Sequence, residues 1–257
     1  MILGIGIGDD PSKVFRSVRK VKGRYHVRYY CRDGTDIPKT PNTSLKRSTA
    51  PERALIADLM SGEIGGAVRG TLHANETLRE LKSQTGVDHL ERIALLETAT
   101  GKKFFLAPVG IDEGWTVEQK LSLIRKGQNI ARSFGMNEKV GILSGGRFGD
   151  VGRHKVIDRS IADAELVARI AKIDHYEILI EEAIRECSVI IAPDGISGNL
   201  IFRTLIFLGK GRGHGAPVVN IDKIFVDTSR ASPDYTNALL LAATLAKNSK
   251  RSFKNDK

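Results

Sequence analysis

The sequence predicts an α/β protein whose mostly parallel sheets are covered by helices. Three observations carry this. Short apolar runs alternate with longer amphipathic ones along nearly the whole chain. Glycine, proline, aspartate and serine punctuate almost every junction. At 257 residues the chain is long enough to bury a sizeable core, as one large domain or two small ones.

The elements follow in order. Ile2–Ile7 reads as a glycine-interrupted strand, and Pro11 opens a helix to about Lys20. The spacing of Gly4, Gly6 and Gly8 is GxGxG and not the GxGxxG of a dinucleotide fold. Tyr25–Cys31 reads as a strand and Arg32–Ser48 as loop, because of Pro38, Pro41 and several Thr and Ser. A helix spans Pro51–Ser61, with Leu55, Ile56 and Leu59 on its inner face and Gly62 as its stop. Gly66–Gly70 is small enough for a buried strand, and Asn75–Thr85 is helical up to Gly86. Ile93–Glu97 and Lys103–Pro108 form a hairpin around Ala99-Thr100-Gly101-Lys102. Thr116 and Gln119 have capping-box spacing before a helix that reaches Phe134. Val140–Leu143 is a strand, Ser160–Ile173 and Ile180–Cys187 are helices, and Val189–Ala192 is a buried strand. After Pro193-Asp194-Gly195, the residues Ser197-Gly198-Asn199 cap a helix expected from near Leu200 to Gly209. Ile224–Asp227 is a late strand, Tyr235–Asn248 the closing helix, and Lys247–Lys257 a polar tail expected to fray.

Composition narrows the function classes. No apolar run is long enough to span a bilayer, and Met1–Gly8 lacks the basic leader of a signal peptide, so a cytoplasmic protein is expected. Cys31 and Cys187 stand alone, which argues for reduced thiols and against zinc or a disulfide framework. The net charge is +10, but it is local: Lys13–Arg53 holds twelve Lys/Arg against three Asp/Glu. Aromatic residues interleave with arginines in RYHVRYY, as in polyanion binders, yet no nucleic-acid module is visible. A solvated strand face or a small anionic ligand fits that stretch as well. No clustered aspartates mark a divalent-metal site, so no metal is expected. His73, His154 and His214 are scattered and read as surface or cap residues. GISGN is not a nucleophile elbow, which makes Ser197 a poor nucleophile.

Ligands on such sheets bind beyond the carboxyl ends of strands. Three loops there are rich in glycine and polar groups: Ser144–Asp150, Asp194–Asn199 and Asp227–Ser232. A small-residue loop feeding a helix leaves free N–H groups near the positive end of the helix dipole, which suits an anion. An ordinary β-α turn explains the same glycines.

Four blocks in order resemble the phosphate acetyl/butyryltransferase family. They are LMSGEIGGAVRGTL followed by Thr77-Leu78-Arg79, WTVEQKLSLIRKGQNIARSFGMNEKVGILSGG, VIIAPDGISGN and IFVDTSR, and the match spans roughly Pro51 to Leu245. Within that superfamily, the length and the opening ILGIGIGDDPSKVF look most like the methanogenesis marker protein 4 group, a family labelled as methyltransferase-related. The resemblance implies the two-lobed fold of isopropylmalate dehydrogenase and phosphotransacylase, with a cleft between lobes and homodimers formed through the second lobe. Lobe one would comprise 1–86 and 222–257, and lobe two 87–221.

The resemblance also implies roles. Ser144, Gly145 and Gly146 match a phosphate loop, with Arg147 where the family has a second Ser or Thr. Asp194, Gly198 and Asn199 match a second substrate loop, and Arg79 matches a helix arginine facing the cleft. Ser229 and Arg230 match a Ser-Arg pair that would hold an acyl-phosphate or carbonyl oxygen, beside Asp227, which either takes part or caps its turn. The family's catalytic aspartate is replaced by Thr236, with Asp234 nearby but out of register. These departures turn the expectation from acetyl-phosphate chemistry toward another anion. The expected ligand is coenzyme A or a phosphate-bearing substrate. Three functions compete: a transferase acting on a phosphorylated or coenzyme-linked anion in methanogenesis, a methyltransferase or methyltransferase subunit, and a catalytically degenerate anion- or partner-binding protein.

Overall fold

The computed structural model describes residues 1–21 and 23–255. The chain divides into two compact units, Met1–Leu90 with His214–Lys257, and Glu91–Gly213.

In the first unit β1 (Ile2–Gly6) leads into α1 (Pro11–Lys20), then β2 (His26–Cys31), β3 (Thr43–Arg47), α2 (Pro51–Ser61), β4 (Gly66–Val68) and α3 (Ala74–Thr85). The second unit holds the hairpin β5 (Ala94–Glu97) and β6 (Lys103–Ala107), then α4 (Val117–Ser133), β7 (Val140–Ile142), α5 (Lys155–Ala171), β8 (Asp174–His175), α6 (Ile180–Glu186), β9 (Val189–Ile191), α7 (Gly195–Arg203) and β10 (Arg212–Gly213). The chain then returns to the first unit as β11 (Ala216–Pro217), β12 (Phe225–Asp227) and α8 (Thr236–Asn255).

Each unit is built on one six-stranded sheet. The first has the order β11-β12-β4-β1-β2-β3 and the second β10-β5-β6-β9-β7-β8. Pairing is parallel except at β11–β12, β5–β6 and β10–β5. Register follows burial: Leu3 lies opposite Val27 on one side and Gly66 on the other. The first core packs Tyr30, Leu55, Ile56, Leu59, Ile64 and Phe225 between the sheet and α2. Gly4 is closely packed there, since a Cβ would press on the ends of the Ile64, Leu55 and Tyr30 side chains.

The sheets have the α/β character that the alternation predicts, but four local expectations are corrected. The segment Arg32–Ser48 is not all loop: it contains β3, an edge strand whose sequence TSLKR is too polar to read as one. The helix after β9 starts at Gly195 and not near Leu200. Its cap is Asp194, whose carboxylate accepts from Ser197 N at 2.8 Å. A wider turn, Thr204–Leu208, then precedes Gly209. The capping box is half formed: Thr116 accepts from Gln119 N, but Gln119 accepts from the amide of Trp115 and not from that of Thr116. Helix α5 begins five residues before the expected Ser160, with His154 Nδ1 accepting from Val156 N. The polar tail from Lys247 falls in α8 up to Asn255, and Asp256 and Lys257 lie outside the described residues.

The basic stretch is partly neutralised internally. Asp58 on α2 is buried and accepts from Lys46 Nζ at 2.6 Å, Tyr30 Oη at 2.7 Å and Arg28 Nη1 at 2.8 Å. It thereby ties α2 to β2 and β3. Burial alone would push its carboxyl up, but the bonds from Lys46, Tyr30 and Arg28 outweigh this and hold it below the ordinary carboxylate range. A depressed folded value means stability that is present above the ordinary carboxylate value and lost as pH falls through the depressed one. Denaturant unfolding of Asp58→Asn at neutral pH is therefore expected to show a loss of about 1–3 kcal/mol, from buried donors left unsatisfied. Its stability should also fall less steeply in acid than that of the parent. Equal stability and an unchanged acid limb would contradict this account.

Candidate functional site

In the first unit β1 and β4 are neighbours, and the chain leaves β1 through α1 to β2 and leaves β4 through α3 into the second unit. Such switch points open a crevice at the carboxyl ends of the strands. Arg69, directly after β4, is buried and braces this end. Its Nε donates to Asp227 Oδ1 at 2.5 Å, its Nη1 to Leu72 O at 2.7 Å, and its Nη2 to Thr228 O. Asp227 Oδ1 also accepts from Thr228 N at 2.8 Å. Asp227 thus holds the strand end through Arg69 and caps its own turn. Gly8 is held in the same place, its amide donating to Thr71 Oγ1 at 2.8 Å.

Arg230 emerges from this braced end and is half-exposed. Its Nη1 lies 3.2 Å from Asp9 Oδ2 and 3.5 Å from His73 Nδ1, and Lys13 Nζ donates to its carbonyl. His73 and Asp10 stand at the N-caps of α3 and α1, and neither side chain makes a cap hydrogen bond to a backbone amide, although Asp10 Oδ1 accepts from Ser12 Oγ at 2.7 Å. Two helix N-termini and Arg230 therefore gather positive potential around the exposed carboxylate of Asp9. Ser229 forms a turn, its hydroxyl accepting from Ala231 N at 3.3 Å. Arg79 lies exposed further along α3.

In the second unit β7 and β9 are neighbours, and their connections again diverge, β7 toward β8 and β9 toward β10. The expected phosphate loop follows β7. Most of its amides are already engaged: Ser144 N with Glu177 O, Gly145 N with Ser160 Oγ, Arg147 N with Asp150 Oδ2 and Phe148 N with Glu177 Oε1. Two carboxylates thus sit where a phosphate would have to bind. Ser144 is buried, and its hydroxyl lies 2.8 Å from both Gly146 O and His175 Nε2. His175 Nδ1 lies 2.6 Å from Glu165 Oε1, and Phe148 stands edge-on to the ring.

The loop after β9 is pressed against the loop after β6. Gly195 N donates to Glu113 O at 2.9 Å, and Asn199 Nδ2 donates to Val109 O at 3.0 Å. A Cβ on Gly198 would meet the carbonyl of Pro108. Glu113, almost wholly buried, accepts from Arg92 N at 3.0 Å and Arg92 Nε at 2.5 Å. Burial pushes its carboxyl up, and Arg92 opposes that. Lys120, in the first turn of α4, is 4 % exposed; its amide donates to Thr116 O at 3.1 Å, and its side chain makes no hydrogen bond or ion pair among the described residues. Its charge senses Asp163 and Asp194, but burial dominates and pushes its ammonium below the ordinary lysine range.

Asp227, Ser229 and Arg230 are therefore brought together in the first unit, and Ser144, Gly145, Gly146, Arg147, Asp194, Gly198 and Asn199 at one end of the second. Sequence reasoning missed Arg69, Lys120, His175 and Glu165. A lysine in the first turn of a helix reads as a solvated charge, and His175 with Glu165 form no spaced motif. Among the described residues no three metal-ligating side chains gather.

No family model matches the chain. It is 50% identical over 201 residues to a protein of Methanosarcina barkeri named "Putative methyltransferase mtx subunit X", covering 76% of this chain and 74% of that one. A Methanocaldococcus jannaschii protein named as an uncharacterized methyltransferase is 35% identical over 241 residues, covering 90% and 91%. Among solved structures, a branched-chain phosphotransacylase from Enterococcus faecalis superposes with a TM-score of 0.74 at 16% identity, covering 96% of this chain and 99% of that one. A 4-hydroxythreonine-4-phosphate dehydrogenase from Klebsiella pneumoniae superposes with a TM-score of 0.60 at 12% identity, covering 95% and 99%.

The loop packing in the second unit has a direct test. Gly198→Ala should lose about 1–3 kcal/mol by forcing a methyl against a backbone carbonyl. Gly149→Ala is the matched control, since a Cβ there meets nothing within 4 Å. Thermal melts in which both variants unfold together would refute the close-approach role of Gly198.

Proposed function

The chain belongs to the mtx subunit X family, whose named members come from methanogens, and on that premise we propose that it is a transferase component that binds a phosphorylated or coenzyme-linked anion at Arg230. The observation that carries this reading is the gathering of Arg230, His73 and two N-termini without side-chain caps at the switch point of the first sheet. The likeness of fold to a phosphotransacylase is in keeping with it.

In this reading the substrate's anionic group displaces the exposed carboxylate of Asp9 and takes its place beside Arg230. The guanidinium supplies charge-assisted, two-pronged hydrogen bonds. His73 and the first-turn amides of α1 and α3 share the remaining oxygens. Arg69, held by Asp227 and two carbonyls, keeps the strand ends rigid, so the groups need little reorganisation when the anion arrives. Moving an acyl or methyl group between two such ligands asks the protein mainly to align them and to balance charge.

The name that the relatives carry supports a second reading, in which the chain is one subunit of a methyltransferase and works with a protein partner. Co-purification of a methyl-carrier protein with the tagged chain would favour it.

Calorimetry with inorganic phosphate, acetyl-phosphate, coenzyme A and coenzyme M tests the first reading. At least one should bind, and Arg230→Ala should weaken it roughly tenfold or more, the value of a charge-assisted bond. Arg230→Lys should restore only part of the affinity, because lysine lacks the planar fork. Binding of none, or binding indifferent to Arg230→Ala, would overturn the assignment.

A further inference from the structure

Three side chains of the second unit make a run of close contacts that the Arg230 site does not use. Ser144 follows β7, His175 ends β8, and Glu165 lies on α5. Ser144 Oγ lies 2.8 Å from His175 Nε2, and His175 Nδ1 lies 2.6 Å from Glu165 Oε1. A hydroxyl within hydrogen-bond reach of an imidazole, whose far nitrogen meets a carboxylate, is the arrangement that activates a nucleophile. It is recognised by geometry and roles, whatever the order of the residues in the chain.

The surroundings fit the same chemistry. Ser144 and the His175 ring are buried, while Glu165 is exposed. The loop after the serine touches both buried members: Gly146 O lies 2.8 Å from Ser144 Oγ, and the Phe148 ring stands edge-on to that of His175 at 5.5 Å. Gly145, Arg147, Phe148 and Gly149 of this loop are exposed, so lifting a few residues would open the pair to a ligand. Of the amides from Ser144 to Phe148, that of Gly146 alone makes no hydrogen bond among the described residues. It is the donor left for an oxyanion formed beside the serine. With one such donor and not two, the place suits an activated acyl carbon, that of an ester or thioester, better than an amide.

We infer that Ser144, His175 and Glu165 form a reaction centre, separate from the Arg230 site, that transfers an acyl group from an ester or thioester to water. Ser144 Oγ attacks the acyl carbon while His175 Nε2 takes its proton. The bond from that carbon to the leaving oxygen or sulfur breaks, and His175 hands the proton to the departing alcohol or thiol. Water then attacks the acyl-serine and gives a proton to His175, which returns it to Ser144 Oγ as the carboxylic acid leaves. Glu165 is a positioning residue: it accepts from Nδ1 and balances the charge that the ring takes on. At rest Gly146 O competes with His175 for the serine's single proton, and lifting the loop removes that competitor.

A fluorophosphonate reagent, which bonds covalently to activated serines, tests this on the full chain, with the labelled residue located by mass spectrometry and trypsin as the positive control. Ser144 should be labelled in the folded protein and not in urea. His175→Gln should slow that labelling roughly a hundredfold or more, the worth of a general base. Glu165→Gln should slow it as well, and Glu165→Asp, which keeps the carboxylate, should recover part of the rate. The parent should hydrolyse p-nitrophenyl acetate through an acetyl group on Ser144, and Ser144→Ala should abolish this. Should the variants fail to fold, the labelling of the parent decides alone. A parent whose Ser144 stays unlabelled while trypsin reacts would overturn the inference, because a serine held only for structure does not react. So would labelling of Ser144 that is equally fast in folded His175→Gln or in the denatured chain.

Discussion

Parallel strands cannot be joined by a tight turn, so each parallel pair in both sheets needs a long crossover. In β1–β4 and β12, and again in β6, β9, β7 and β8, the carboxyl ends of the strands consequently point one way. Apart from Arg79, which lies along α3, the candidate residues gather at those two ends. The loops there carry the polar chemistry, because the central strands behind them, such as β4, β7 and β9, are buried and committed to packing. Where the connections of neighbouring strands diverge, as between β9 and β7, the helices part and the ends stay open.

The two ends are stiffened by different means. In the first unit a buried charge does it: Arg69 spans from β4 to Asp227 and to two carbonyls, and Arg230 projects from the turn so fixed. In the second unit backbone contact does it, with Gly195 and Gly198 letting one loop lie on the carbonyls of the other. A guanidinium brace leaves a polar end with spare positive potential. A backbone brace orders its end by the close approach of two loops, with Asn199 and Asp194 bonding within it.

The family resemblance reads the loop after β7 as a cradle for phosphate. Its own side chains have taken that role: Asp150 and Glu177 supply carboxylates to the amides, and Ser160 supplies a hydroxyl. The loop is thereby ordered without a ligand. Its serine is turned inward to His175, which Glu165 orients in turn.

Much of this was legible in one dimension. Alternating short apolar runs and amphipathic helices define an α/β chain, because burial on both faces and on one face leave different periods. Gly62 and Gly86 mark helix ends, because the left-handed conformation found at both favours glycine. The loops that carry Ser144, Asp194 and Arg230 stood out because glycine and polar residues cluster after apolar runs. Strand β3 did not, since an edge strand needs few apolar side chains and its Lys46 is held by Asp58. Lys120, His175, Glu165 and Arg69 were invisible for a different reason. Whether a charge is solvated, paired or stranded depends on what lies across from it, and those partners come from helices and strands distant in sequence. The sequence by itself determined the layers and the loops; only the tertiary structure decided which charges are balanced and which remain to hold a ligand.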